Sequence, residues 1–138
     1  MIQGIFDWYQ NWLDEVDRAI MSNDFQSLAQ LLQRAFGNPV MIQDSNYCLL
    51  GMSGPFGKNG IPPEWEYIRE NGQISMEGYN FMSSALKFSD CVYRQNVRRF
   101  CGKPDSLMPD SGLHVTITFH GHDYEKLTVL ESNRVFNV

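Results

Sequence analysis

Apolar residues return at three- and four-residue steps from the start of the chain: Ile2, Ile5, Phe6, Tyr9, Trp12, Leu13, Val16, Ala19 and Ile20. Asp7, Asp14, Asp17 and Arg18 fall between them. That period predicts an amphipathic helix over residues 1–22. Ser22, Asn23 and Asp24 are all N-cap residues, so a second helix is expected directly behind them. Its apolar side is Phe25, Leu28, Ala29, Leu32, Ala35 and Phe36; Gly37 supplies a left-handed cap and Pro39 forbids continuation.

The period then changes. "PVMIQD" and "YCLLGMS" are short, nearly continuous apolar runs, expected as strands buried on both faces or nearly so and joined by a turn at Asp44-Ser45-Asn46. "GPFGKNGIPP" reads as a Gly/Pro loop. Its glycine spacing, its proline and the lack of Ser or Thr after Lys58 exclude a phosphate loop. "PPEWEYIRENG" has proline at its first position, Glu64 and Glu66 at the positive end, and Asn71-Gly72 as a stop, so a short helix is expected with Trp65 and Ile68 inward. A further helix is expected over "SMEGYNFMSSAL", with Ser75 as N-cap and Met76, Tyr79 and Met82 in step; Gly78 should weaken it by about 1 kcal/mol relative to Ala.

The last third reads as about three strands. "LKFSDCVY" is the first, followed by a polar, partly basic stretch, "RQNVRRFCGKPDSLMPDSG". In "LHVTITFH", Leu113, Val115, Ile117 and Phe119 alternate with His114, Thr116, Thr118 and His120. Gly121-His122-Asp123 is expected to turn the chain into a last strand, "KLTVLE". Helix, helix, strand, strand, helix, helix and then strands is an α+β order: a meandering antiparallel sheet with helices on a face or end. Such folds often enclose a small cavity where a ligand can sit. Neither an internal repeat nor a low-complexity segment interrupts this order.

Length and composition agree with one domain and one core: 138 residues, 43% hydrophobic, with 9 Phe, 6 Tyr and 3 Trp. A net charge of −5 argues against broad affinity for nucleic acid or anionic membranes. No signal peptide opens the chain and no apolar run has the length of a membrane span. Cys48, Cys91 and Cys101 are odd in number and lack CxxC spacing, which points to small buried hydrophobes in a cytoplasmic protein.

Candidate chemistry is sparse. His120 and His122 share a face about 7 Å apart in an extended strand, but no third or fourth ligand stands at a recognisable spacing. No local signature pairs a cysteine with a histidine, and Asp14, Glu15 and Asp17 fit a solvated helix face. No catalytic residue, metal or cofactor is assigned, and the chain is not read as an enzyme. Arg94, Arg98, Arg99 and Lys103 are expected as a solvated loop cluster, with an anionic metabolite or a partner's acidic surface as the other use.

The stretch "LAQLLQRAFGNPVMIQDSNYCLLGMSG" resembles the opening of the sensory domain of purine-catabolism and sugar-diacid-type bacterial transcription regulators. "IPPEWEYIRENGQIS" and "HDYEKLTVLESNRVF" continue the likeness, which spans roughly residues 25–136. The resemblance implies a GAF/PAS-like fold that precedes a helix-turn-helix region. That region has no room before Val138, so the chain is expected as an excised sensor or a free-standing relative that does not itself bind DNA.

A sensor of this type needs a cavity with apolar walls and a few polar groups. Trp65, Tyr79, Phe81 and Met82 on the crossing helices, with Tyr47 and Tyr93 as polar-tipped neighbours, are the candidate ligand contacts; core packing is the competing role of each. Trp8 lies off the main stripe of the first helix, which suggests a homodimer through that helix or a side chain resting on its own domain. Two other readings stay open: an interaction module whose own side chains fill the cavity, and a small enzyme on the same sheet.

Overall fold

Two helices lead the chain, α1 (Ile2–Met21) and α2 (Phe25–Phe36). The computed structural model describes residues 2–87, 92–94, 97–119 and 122–133. Asp24 caps α2: its carboxylate accepts from the Ser27 backbone N–H at 3.1 Å and the Ser27 hydroxyl at 2.6 Å. Those bonds hold its carboxyl below the usual range. Gly37 ends α2 at φ 71°, where a side chain would be strained, and its N–H bonds to the Gln33 carbonyl.

The strands are β1 (Val40–Asp44), β2 (Leu49–Ser53), β3 (Val92–Arg94), β4 (Val97–Phe100), β5 (Gly112–Phe119) and β6 (His122–Leu130). They form one antiparallel sheet in the order β2-β1-β6-β5-β4-β3. Between β2 and β3 the chain crosses one face as α3 (Pro63–Asn71) and α4 (Met76–Lys87). The architecture is α+β, as the order of elements predicts.

Strand alternation divides the core in two. Val40, Ile42, Leu127 and Val129 face α2, where they meet Ala29, Phe25, Leu28 and Leu32. Met41, Phe100 and Leu130 point the other way, against Trp65 and Ile68 of α3 and Met82 of α4. β1 is therefore covered on both sides. α2 also closes the sheet edge: the Gln26 side chain donates to the Met52 carbonyl at 2.7 Å and accepts from the Met52 N–H at 2.9 Å. An exposed edge strand is a template for unwanted pairing, and one amide side chain here stands in for a neighbouring strand. Gly51 makes the approach possible, since a Cβ there would run into the Phe25 carbonyl.

The buried Asn38 of Gly37-Asn38-Pro39 ties the chain's end to its middle. Its side-chain oxygen accepts from the Asn133 N–H at 2.9 Å, and the Asn133 amide donates to the Pro55 carbonyl at 2.8 Å.

Several sequence expectations are corrected. Helix α4 runs on to Lys87, so "LKFSDCVY" is not one strand; Val92–Arg94 is strand and residues 88–91 lie outside the described residues. The polar stretch behind it contains β4, making four strands in the last third where three are expected. Charged Arg98 and Arg99 conceal the strand in the sequence. His122 and Asp123, expected in the turn, already belong to β6 and pair with Phe119 and Thr118; residues 120 and 121 lie outside the described residues. In α4, Met76 and Tyr79 are exposed, at 78% and 47%, while Gly78 and Met82 face inward.

The inward placement of Gly78 has a cause. Glu64, in the first turn of α3, is buried, and its carboxylate accepts from the Ser75 N–H at 2.8 Å and the Ser75 hydroxyl at 2.5 Å. The same hydroxyl oxygen accepts from the Gly78 N–H at 2.9 Å, capping α4. A Cβ on Gly78 would overlap the Glu64 carboxylate. The glycine thus makes room for that carboxylate, whatever it costs α4 in propensity.

Replacing Gly78 by alanine should lower stability by about 1–2 kcal/mol, because the lost fit outweighs the roughly 1 kcal/mol of helix propensity gained. Urea unfolding measures it. A stabilised Gly78→Ala protein would show that the carboxylate gives way and does not fix the helix spacing.

Candidate functional site

The site lies on the sheet face beneath α3 and α4. Most of that face is apolar, but its centre is polar: Gln43 on β1, Lys126 and Thr128 on β6, and His114 on β5 are all buried. Antiparallel register aligns them, Gln43 opposite Lys126 and His114 opposite Thr128. Buried polar groups persist only with partners. The Gln43 amide donates to the Tyr47 carbonyl at 3.0 Å, and His114 Nδ1 lies 3.1 Å from Thr128 Oγ1.

Tyr47 covers this cluster from the β1–β2 turn. The Asp44 carboxylate shapes that turn by accepting from the N–H groups of Asn46 and Cys48 at 2.8 and 2.9 Å. Tyr47 takes φ 61°, in the left-handed region. Its ring stacks on His114 at 6.4 Å between centroids, and the Lys126 ammonium lies 4.8 Å from its centroid. Tyr79 of α4 meets the Tyr47 ring edge-on at 5.8 Å. Three rings thus run in sequence from the surface inward: Tyr79, Tyr47, His114.

Between this cluster and the helices lies a narrow cavity of about 20 Å³. Met41, Gln43, Tyr47, His114 and Thr128 line it from the sheet side; Glu64, Trp65, Ile68, Ile74, Met82 and Met108 line it from the other. Two wall residues carry buried nitrogens with no protein hydrogen-bond partner, Trp65 Nε1 and His114 Nε2. Phe56 packs edge-on against the Trp65 indole at 5.8 Å and fixes its plane.

Of the candidate contacts read from the sequence, the structure brings Tyr47, Trp65 and Met82 to the cavity wall. Tyr79 stands outside, against Tyr47, and half-buried Phe81 packs on the core beside the cavity. Tyr93 belongs to β3 at the far sheet edge, and its side chain lies outside the described residues. Gln43, Glu64, His114 and Thr128 escape sequence reading. Gln43 did leave a signal, a lone amide in an apolar strand. His114 misled, because its alternation with leucine and valine suggests a wet face; here that face is the covered one, and Ile117 on the opposite face is 43% exposed.

The other candidate chemistry disperses. Arg99 is tied to Glu131 by two bonds of 3.0 Å, which hold its guanidinium more firmly protonated than usual. Lys103 is exposed, Cys48 is half-buried and Cys101 is exposed. Cys91, His120 and the side chains of Arg94 and His122 lie outside the described residues. Among the described residues no three His, Cys, Asp or Glu side chains come together as a metal site would require. No helix is long and apolar enough to cross a membrane. Compared with family models and with the curated proteins, the chain finds no match.

Burial first, and then the charge of Lys126, push the His114 pKa down to about 4. A base whose folded pKa lies below its unfolded value takes up its proton more readily when unfolded. Its contribution to stability is complete above the unfolded value of 6.5 and is lost as pH falls towards about 4. That span is worth roughly 3 kcal/mol. Urea unfolding of the wild type and of His114→Gln, from neutral pH to about pH 4, should show their stability difference shifting by roughly this amount in the variant's favour. A difference independent of pH would mean that His114 is protonated as easily in the fold as outside it.

Proposed function

We propose that this chain is a GAF/PAS-like sensory and dimerisation domain of a bacterial transcription regulator, binding a small metabolite between the sheet and α3–α4. The observation that carries the reading is the polar cluster sealed beneath those helices, where two residues that line one cavity, Trp65 and His114, each carry an unpaired buried nitrogen. A core that served packing alone would gain by replacing His114 and Gln43 with apolar residues. Helices that cross one face of an antiparallel sheet also support the resemblance to that family. In this reading the domain works in the cytoplasm, has no catalytic role and leaves DNA contact to another region. Its net charge of −5 agrees with the last point.

Dimerisation belongs to the same proposal. α1 packs on α2 through Ala19 and half-buried Trp12, Leu13 and Val16, and the Trp12 indole donates to the Leu31 carbonyl at 3.1 Å. Its first turns leave Ile5, Phe6, Trp8 and Tyr9 between 51% and 67% exposed. That apolar surface, on the order of 500 Å² per chain, is a large share of the roughly 800 Å² per partner that a stable interface buries. A second copy presenting the same helix would cover it isologously.

A second reading also has support. The cavity is far smaller than the roughly 300–1,000 Å³ of most ligand pockets. An interaction module with a self-filled interior would look similar, so ligand binding in the sensory reading requires the site to open.

Native mass spectrometry and thermal unfolding separate the two. The sensory reading expects a dimer, and a metabolite at about 100 times its Kd that raises Tm by ~10 °C. A screen of small metabolites that leaves Tm and mass unchanged would favour the interaction module. The double variant Phe6→Glu, Trp8→Glu should run as a monomer with its unfolding transition retained, as sedimentation would show. A variant that remains dimeric would place the interface elsewhere.

A further inference from the structure

The two unpaired nitrogens define what the site can accept. Trp65 Nε1 is a donor only, so its partner must be an acceptor. His114 Nε2 complements whichever role Nδ1 takes towards Thr128 Oγ1 at 3.1 Å. A guest that pairs both atoms therefore carries an acceptor and either a donor or a second acceptor, as an amide does. Both residues line the same cavity of about 20 Å³, room for about one water. The wall can enlarge locally, because Met41, Met82 and Met108 have flexible, unbranched side chains.

Resting on the sensory reading, we infer that the gap between Trp65 and His114 is the recognition point of the site, and that it selects small uncharged hydrogen-bonding molecules over their anionic and cationic isosteres. Charge is discriminated by what surrounds the gap. Glu64 is part of the wall, and its carboxylate is held in place by two bonds from Ser75. An anionic carboxylate guest would lose water beside it, and would bring about four acceptor sites to one indole N–H and at most one imidazole N–H. A cationic guest would be drawn towards Glu64, but it would give up its hydration and meet the conditions that already keep His114 neutral: burial, and the ammonium of Lys126 across the Tyr47 ring. A neutral amide avoids both costs and pairs both nitrogens.

Formamide, formate and formamidinium have nearly the same shape and three different charges, and serve as probes. With tryptophan labelled by 15N, Trp8, Trp12 and Trp65 give three indole N–H signals. Trp65→Phe identifies the relevant one; should that variant not fold, Trp8→Phe and Trp12→Phe identify it by elimination. A guest of three heavy atoms binds at best in the millimolar range, so each probe is titrated to about 0.5 M at neutral pH and constant ionic strength. The expected result is a saturable shift of the Trp65 signal by formamide, with the two ions at least about tenfold weaker.

Formate or formamidinium binding as tightly as formamide would overturn the inference. So would a Trp65 signal that formamide does not move. A metabolite that raises Tm but leaves that signal in place would also overturn it, while the sensory reading would stand. If formamide shifts the signal as expected but no metabolite changes Tm or mass, the recognition point is supported and the sensory reading fails.

Discussion

The inner half of the molecule depends on one buried carboxylate. The Ser75 N–H and hydroxyl both donate to the Glu64 carboxylate, and the Ser75 oxygen then caps α4 through the Gly78 N–H. A carboxylate out of water is costly unless such donors surround it. The arrangement sets how closely α3 and α4 approach, and places Trp65 and Met82 over the sheet. The Glu64 N–H, bonded to the Leu107 carbonyl at 3.0 Å, fastens the start of α3 to the loop between β4 and β5. The cavity is the space this clasp leaves.

The two sheet faces show different economies of burial. Towards α2 the contact is apolar and closely fitted, down to a glycine at Gly51 that lets the helix backbone approach. Towards α3 and α4 the sheet centre carries Gln43, His114, Lys126 and Thr128, residues that lower stability unless each finds a partner. A domain this small has little stability to spare. The polar face therefore makes sense where it performs a task, and selecting a guest is a task that apolar side chains do poorly.

Much of the fold was legible in the sequence. Asp24, Gly37, Pro63 and Gly72 mark helix ends by local backbone chemistry that acts within a turn, and all four mark them in the structure. The apolar runs of β1 and β2 and the alternation of β5 were equally readable. β4 was not, because Arg98 and Arg99 in mid-strand look like a solvated loop until neighbouring strands pair with them. Of the candidate site, Tyr47, Trp65 and Met82 were reachable as large side chains near the crossing helices. Gln43, Glu64, His114 and Thr128 were not.

The sequence by itself determined the order of elements, their caps and the α+β class, since these follow from periodicity and from hydrogen bonds between near neighbours. Tertiary structure alone decided which face of each element is covered. Polar character predicts exposure only while one side of a strand meets water, and β5 has its histidine side under helices and Ile117 exposed on the other. Gly78 reads as a weakness in α4 until the Glu64 carboxylate, fourteen residues earlier in the chain, occupies the place of its missing side chain. Such requirements arise between residues distant in sequence, and no local pattern records them.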